Sequence, residues 1–278
     1  MSTKTMLMHS AHQEQFDAPG RDLVFFDKPV DAARLSRITD VHLWAPPGST
    51  IEQLPEIVAA MPNLTRLSIG PGEVSPAIIT QLRHGDLPES LAELFVGTGE
   101  RALAWPDVAV PNLTTLYVEG PFRFTPECFP RLRNLSITPQ RSLNNVRQAL
   151  TLPLEELNLL RVPIDEEIFR ILEPVGLRRL GLLGGRTLQS LAGIGALPQL
   201  ESLRLKNLTA LGDISELSAL QRLEILNIQY CKQLTGITAI SGLQALRRLT
   251  IVGCGSIGLG AIEQKLSTLE WVNTGATT

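Results

Sequence analysis

A short apolar phrase recurs along most of the chain, with large aliphatic residues at its first, fourth and sixth positions. Its three clearest copies start at residues 200, 223 and 246, 23 residues apart, and read Leu200-x-x-Leu203-x-Leu205, Leu223-x-x-Leu226-x-Ile228 and Leu246-x-x-Leu249-x-Ile251. A fixed period in the twenties predicts a stacked solenoid, because one unit alone cannot bury its apolar side.

Further copies extend the pattern towards both ends of the chain; those at Leu154 and Leu177 keep the period of 23, and the others have looser spacing. The last copy reads Leu266-x-x-Leu269-x-Trp271 and begins 20 residues after Leu246. The remaining copies begin at Ile38, Leu64, Leu91, Leu113, Leu132, Leu154 and Leu177. Since successive side chains of a strand face opposite sides, we interpret each phrase as a strand with its apolar positions in the core. The sequence therefore predicts about eleven parallel strands over residues 38–272.

The segments between the phrases predict helices on the other side of the sheet. Apolar residues at helical spacing favour a helix over residues 51–61, and Ser75-Pro76 is typical of a helix start. Asp165-Glu166-Glu167 precedes an apolar stripe, which predicts a further helix because acidic residues stabilise a first turn. Residues 259–266 are a candidate for one more helix.

The phrase and its period resemble the leucine-rich-repeat family over nearly the whole chain. The stretches at 211–215 and 234–237 are similar to internalin-type bacterial repeats, which implies short 3₁₀ turns there. The resemblance implies an α/β fold: a right-handed horseshoe with a concave parallel β-sheet and helices or 3₁₀ turns on the convex side. It also implies a protein-recognition scaffold that binds through the concave face.

The ends of the chain lack the phrase. Residues 1–20 are polar and predict a flexible N-terminal arm. The β-prone run at 22–26 suggests that residues 21–37 cap the first core layer, since a solenoid must cover its terminal units. The repeats then fill residues 38–272, and residues 273–278 form a C-terminal tail.

The residues between the apolar positions should face outward on the concave side. Three of the few aromatic residues fall there, and arginines cluster towards the C-terminal half, both of which are common anchors of protein interfaces. The predicted protein-binding residues are Trp44, Phe95, Tyr117, Glu119, Asn158, Arg179, Arg204, Lys206, Gln229 and Arg248. Three alternatives remain: Trp44 packs under the arm, Phe95 and Tyr117 only pair across strands, and the arginines are a solvated face.

Candidate chemistry is weak by comparison. Residues 253–258 match G-x-G-x-x-G, but the repeat register explains them, because Cys254 follows Cys231 by one period of 23. Both cysteines occupy the repeat's turn, and the four histidines show no metal-ligand spacing. We therefore expect no catalytic, cofactor-binding or metal-binding residues, and we expect that the protein is not an enzyme.

Charge and composition narrow the class of partner. A net charge of −3 gives no reason to expect a nucleic-acid partner, which normally requires a basic face, and no run is apolar enough for a signal peptide or membrane span. Three cysteines in a chain of this length favour a reducing compartment, so we expect a cytoplasmic monomer. We predict a bacterial protein-binding scaffold, either an inhibitor such as an immunity protein or an adaptor; the alternative is a secreted effector that acts on a host protein.

Overall fold

The computed structural model divides the chain into two compact units. The first comprises Met1–Ile137 with Thr151–Pro153, and the second comprises Thr138–Leu150 with Leu154–Thr278. The structure describes residues 4–16, 22–46, 48–49, 51–70, 72, 74–99, 101–162, 165–173 and 176–275. The predicted arm (1–20) and the predicted tail (273–278) lie partly outside these ranges.

The first unit is built on parallel strands. They run in the order β2-β1-β3-β4-β5-β7-β8, and β6 pairs with β7. The strands are β1 (Thr5–Met8), β2 (Asp22–Phe25), β3 (Asp40–Trp44), β4 (Arg66–Gly70), β5 (Glu93–Val96), β6 (Leu103–Ala104), β7 (Thr115–Arg123) and β8 (Asn134–Thr138). The connections contain α1 (Ala32–Leu35), α2 (Ser75–Thr80) and 3₁₀ helices at Ser10–Phe16, Glu56–Val58 and Pro126–Cys128.

The second unit repeats one strand-and-turn motif in strict register. Its strands run β9-β10-β11-β12-β13-β14, and they are β9 (Glu156–Val162), β10 (Arg179–Gly185), β11 (Ser202–Leu208), β12 (Ile225–Gln229), β13 (Arg248–Val252) and β14 (Trp271–Asn273). The connections contain α3 (Asn144–Ala149), α4 (Glu167–Leu172), α5 (Glu263–Leu266) and 3₁₀ helices at Ile194–Ala196, Ser215–Ala219, Thr238–Gly242 and Leu259–Ile262. The predicted 3₁₀ turns of the C-terminal repeats and the helix near residue 263 are thus confirmed.

The phrase residues form the core of each unit, as the apolar pattern predicts. Leu203 and Leu205 are fully buried, and so are their counterparts one repeat later, Leu226 and Ile228. Burying a side chain of this size contributes about 1.5–3 kcal/mol. The parallel solenoid is confirmed, and the same alternation leaves the intervening residues on the other face of the sheet.

Fourteen strands are present among the described residues, compared with the eleven predicted. The largest difference lies in the predicted flexible arm, where Thr5–Met8 forms β1 between β2 and β3. Leu7 and Met8 are fully buried there. This four-residue run is too short to carry the repeat phrase, so it was not recognisable as a strand.

The predicted helix over residues 51–61 is wrong. Only Glu56–Val58 is helical, and it is a 3₁₀ helix. Pro55 lies in the middle of the predicted segment, and a proline there removes a backbone N–H and clashes with the preceding turn. The apolar stripe therefore packs without a continuous helix: Val58 and Met61 are fully buried.

The predicted register of the last repeat is also wrong. Trp271 pairs with Arg248, and Val272 pairs with Leu249, so the last step is again 23 residues. Glu270 and Trp271 both donate their backbone N–H to the carbonyl of Arg247, one repeat after the same arrangement at Glu224. The phrase ending in Trp271 resembles a repeat by coincidence, whereas Trp271 occupies an outward position.

An aromatic cluster replaces the repeat helix between β6 and β8. Phe122 and Phe124 stack with ring centroids 4.9 Å apart, and Trp105 lies 5.0 Å from Phe129. The indole N–H of Trp105 donates to the carbonyl of Val108 at 2.9 Å, which satisfies its buried polar atom. Four of the chain's thirteen Phe, Trp and Tyr residues therefore serve the core of the first unit.

Candidate functional site

The outward face of the sheet in the first unit carries an aromatic pair. Phe95 and Tyr117 occupy paired positions on β5 and β7, with ring centroids 6.2 Å apart and planes inclined by 30°. Both side chains are half-buried. The cross-strand pairing, which was the alternative to a binding role, is therefore present.

Trp44 lies beneath the N-terminal segment. Its ring meets the ring of His12 edge-on at 6.1 Å, and His12 belongs to the 3₁₀ helix that follows β1. Trp44, His12 and Phe26 line a hollow of about 380 Å³. The alternative in which Trp44 packs under the N-terminal residues is the arrangement seen.

Cross-strand ion pairs occupy several of the predicted binding residues. The Arg179 guanidinium lies 2.8 Å from the Glu156 carboxylate, which also accepts a hydrogen bond from Asn158 at 2.8 Å. Asn158 lies over Gly181, where a Cβ atom would meet its Oδ1 at 2.0 Å. Glu119 accepts a hydrogen bond from the backbone of Gly99 at 3.0 Å. Because these side chains bond to one another or to the backbone, they stabilise the conformation of the outward surface of the sheet.

The cations of the later strands are different. Arg204 on β11 is exposed and Lys206 is half-exposed, and within the described residues neither has a carboxylate within 4.0 Å. Arg248 on β13 places its guanidinium 5.7 Å from the centre of the Trp271 ring. Gln229 pairs in register with Lys206 and is half-buried.

Three exposed apolar residues of this region were missing from the predicted set. Two of them are Ile225 and Trp271, which pair in register with Arg248 from either side. These two residues and Arg248 form one outward row across β12, β13 and β14. Tyr230 follows β12 directly and is 46% exposed. The sequence contained a signal for Trp271, because it lies one period of 23 after Arg248.

Tyr230 occupies a left-handed backbone position that recurs once per repeat. The positive φ angles are 55° at Arg161, 79° at Gly184, 55° at Asn207, 56° at Tyr230 and 64° at Gly253. Glycine and asparagine tolerate this region, but a bulky residue is strained there. The Tyr230 ring fills the space beside Gly253, where a Cβ atom would meet Cδ1 at 2.6 Å.

Burial shifts the pKa of one histidine and of the three cysteines, and the clearest cases are His42 and Cys231. Desolvation is the largest cause of a lowered pKa at His42, with Lys4 also lowering it and Asp40 raising it. The His42 Nδ1 atom is buried without a hydrogen-bond partner among the described residues. Burial likewise raises the pKa of the Cys231 thiol to about 11, so at pH 8 only about one molecule in a thousand is a thiolate.

The described residues contain no cluster of three or more His, Cys, Asp or Glu side chains that could hold a metal ion. Cys231 and Cys254 are free thiols in the turns after β12 and β13, and each lies within 3.6 Å of the carbonyl two residues before it. No helix in the described part of the chain is long and apolar enough to cross a membrane.

Comparison with known proteins supports the fold. No protein-family model matches the sequence. No curated protein is significantly similar to it. Among solved structures, the chain is similar to TLR13 in its complex with ssRNA13, with a TM-score of 0.50 and 16% identity over 99% of this chain and 47% of that chain. An internalin, InlF of Listeria monocytogenes, matches with a TM-score of 0.49 and 16% identity over 92% of this chain and 79% of that chain. The similarity to TLR13, the period of 23 residues and the parallel strands show that the chain has the leucine-rich-repeat fold.

Proposed function

We propose that this chain is a non-enzymatic scaffold that binds a protein partner on the outward face of its sheet. The observation that supports this best is the presence of aromatic and arginine side chains at outward strand positions: the half-buried pair Phe95 and Tyr117 in the first unit, and the exposed Arg204 and Arg248 in the second. These residue types dominate the energetics of protein interfaces, because they combine large contact area with directed polar groups. The remaining predicted residues, such as Arg179 and Asn158, hold the face in a fixed arrangement.

We also propose that the protein is cytoplasmic and monomeric. Three free cysteines, two of them buried, are compatible with a reducing compartment. A partner from the source cell favours an inhibitor or adaptor, whereas a partner from a host cell favours the effector alternative.

The proposal is tested by capture of partners from lysate, followed by mass spectrometry. The wild-type protein is compared with a variant that carries Phe95→Ala, Tyr117→Ala and Arg204→Glu. We expect one protein to be enriched by the wild type and reduced at least tenfold by the variant. Circular dichroism of both proteins establishes that the variant is folded.

A matched control carries Arg170→Glu in α4, where the side chain is exposed away from the sheet. This control should retain the partner. A partner that is retained by the triple variant but lost by the control would place the binding site outside the outward face, and the proposal would be wrong.

A further inference from the structure

Exposed apolar surface is concentrated at one end of the second unit. The large hydrophobic side chains that are exposed in the described part of the chain are Ile225, Tyr230, Trp271 and Val272. Val272 pairs with the core residue Leu249 and lies on β14, an edge strand of the described sheet. Ile225 and Trp271 belong to the outward row of β12, β13 and β14, and Tyr230 directly follows β12. Such concentration marks an interaction site more often than isolated exposed residues do.

The same strands carry uncompensated positive charge. Two outward arginines of earlier strands are neutralised across strands: Arg66 by Glu93 at 2.8 Å and Arg179 by Glu156 at 2.8 Å. Arg204, Lys206 and Arg248 have no carboxylate within 4.0 Å in the described residues. The outward positions of β11 to β14 contain no aspartate or glutamate, so this face carries a formal charge of +3 on a chain of net charge −3.

Cations and apolar groups are close enough to contact one short ligand. Neighbouring parallel strands lie about 4.8 Å apart, so the row from Ile225 through Arg248 to Trp271 spans about 10 Å. Arg204 and Lys206 extend the charge by one further strand. We call these residues the C-terminal patch: Arg204, Lys206, Ile225, Tyr230, Arg248 and Trp271.

We propose that the C-terminal patch binds an acidic, extended segment of the partner protein, with one large apolar side chain packed over the row of Ile225, Arg248 and Trp271. This rests on the proposed function and names the chemistry of its partner. Carboxylates pair with guanidinium groups through charge-assisted hydrogen bonds, which are stronger on a partly desolvated face than in water. An apolar anchor beside charged contacts is the usual composition of a binding hot spot.

Charge alone would also attract single-stranded RNA, but the patch favours an acidic peptide. Bases bind by stacking on free aromatic faces along a continuous basic groove. Here Arg248 lies over the Trp271 ring at 5.7 Å from its centre, the Tyr230 ring packs beside Gly253, and Ile225 cannot stack with a base. Three cations also make few phosphate contacts.

The test measures binding of a synthetic twelve-residue peptide of aspartate and glutamate with one central leucine, by nuclear magnetic resonance titration of the full chain. We expect amide shifts confined to β11–β14 and their flanking residues, with saturation below about 1 mM, an affinity of about −4 kcal/mol or better. Replacing the leucine by glycine should weaken binding at least threefold. No localised shifts at 1 mM, or equal binding without the leucine, would overturn the proposal.

Two charge reversals separate direct contact from general attraction. Arg204→Glu should weaken peptide binding at least tenfold. Arg222→Glu is the control, because Arg222 is exposed just before β12, pairs with Gln199 rather than a carboxylate, and changes the net charge equally. It should change the affinity less than twofold. Equal losses would mean that only net charge matters, which contradicts a defined patch.

Two further experiments decide the class of ligand and distinguish failure of this proposal from failure of the proposed protein-binding function. A single-stranded RNA of twelve nucleotides that binds more tightly than the peptide would overturn the choice of an acidic protein segment. Trp271→Ser combined with Arg204→Glu should abolish capture of the natural partner. If that double variant keeps the partner while Phe95→Ala with Tyr117→Ala loses it, the outward face binds protein but the C-terminal patch does not.

Discussion

At the scale of single residues, Tyr230 combines an unfavourable left-handed backbone conformation with an exposed side chain. Asn207 and Gly253 occupy the equivalent position in the repeats on either side of Tyr230, and both residue types accept a positive φ. A tyrosine at φ 56° forfeits roughly 1 kcal/mol relative to them. Its side chain is nearly half exposed and recovers part of this against Gly253. Strained backbone conformations are often found at residues that contact a ligand.

Tyr230→Asn should therefore stabilise the protein. We expect a gain of about 0.5–1 kcal/mol in the free energy of unfolding, measured by urea denaturation, together with weaker binding of the acidic peptide. Asn207→Ala is the control at the same position one repeat earlier, and it should destabilise. A Tyr230→Asn protein that is less stable than wild type would show that packing against Gly253 outweighs the strain.

His42 predicts a pH dependence with a definite sign. Its pKa is lowered in the folded protein chiefly by burial, whereas the unfolded chain takes up the proton near pH 6.5. The unfolded state thus binds more protons below that pH, so the stability contribution is complete above about pH 6.5 and decreases as the pH falls towards the folded pKa. The slope cannot exceed about 1.4 kcal/mol per pH unit for one proton.

Thermal or urea unfolding at pH 7.5 and 5.5 tests this. The wild type should lose more stability between the two values than His42→Gln does. His84→Gln, at an exposed histidine, should behave like the wild type. Equal pH dependence in the wild type and the His42 variant would exclude His42 as the source.

At the scale of elements, the aromatic cluster behind β7 is the part of the first unit that the repeat pattern does not describe. Phe122 is fully buried and contacts both Phe124 and Trp105. Phe122→Ala should destabilise by about 3–5 kcal/mol, because it removes a whole ring from a packed cluster and leaves a cavity. Phe95→Ala should cost about 1 kcal/mol or less, since that ring is half-buried on the sheet surface. Similar losses in urea denaturation would contradict this assignment of core and surface.

The elements also show how far the sequence pattern reaches. Strands that carry the full phrase were predictable, because Leu203 and Leu226 must be buried together in any stacked arrangement. Strand β1 was not, because its four residues have no period and its burial depends on pairing with β2 and β3. Pro55 outweighed an apolar stripe that favoured a helix.

The candidate site was also predictable only in part. Outward positions followed from alternation, so Arg204 and Arg248 were identified correctly as facing away from the core. Trp271 was missed because Leu266 and Leu269 mimic the phrase three residues early, and only the backbone hydrogen bonds to Arg247 fix the register. Ion pairing decides which outward arginine is available, and it depends on side-chain geometry that a pattern does not contain.

At the scale of the whole molecule, contacts along the chain run between sequential repeats, which makes stability a sum of repeat and neighbour terms. β11 pairs on both sides, with β10 and β12, whereas β14 pairs with β13 through three exposed residues. Each end of such a stack has half the neighbour energy of an interior repeat. Local opening should therefore begin where a terminal strand is also exposed.

Hydrogen exchange tests this gradient directly. We expect the hydrogen-bonded amides of β14 to exchange at least a hundredfold faster than those of β11, which corresponds to an opening free energy lower by about 3 kcal/mol. β11 is the internal control, since it belongs to the same unit and has the same register. Equal protection would mean that another segment or a second copy of the chain covers β14. Because the C-terminal patch includes Trp271, binding of the acidic peptide should slow exchange in β14 and leave β10 unchanged, so the strand that opens most readily is also the one that a ligand stabilises most.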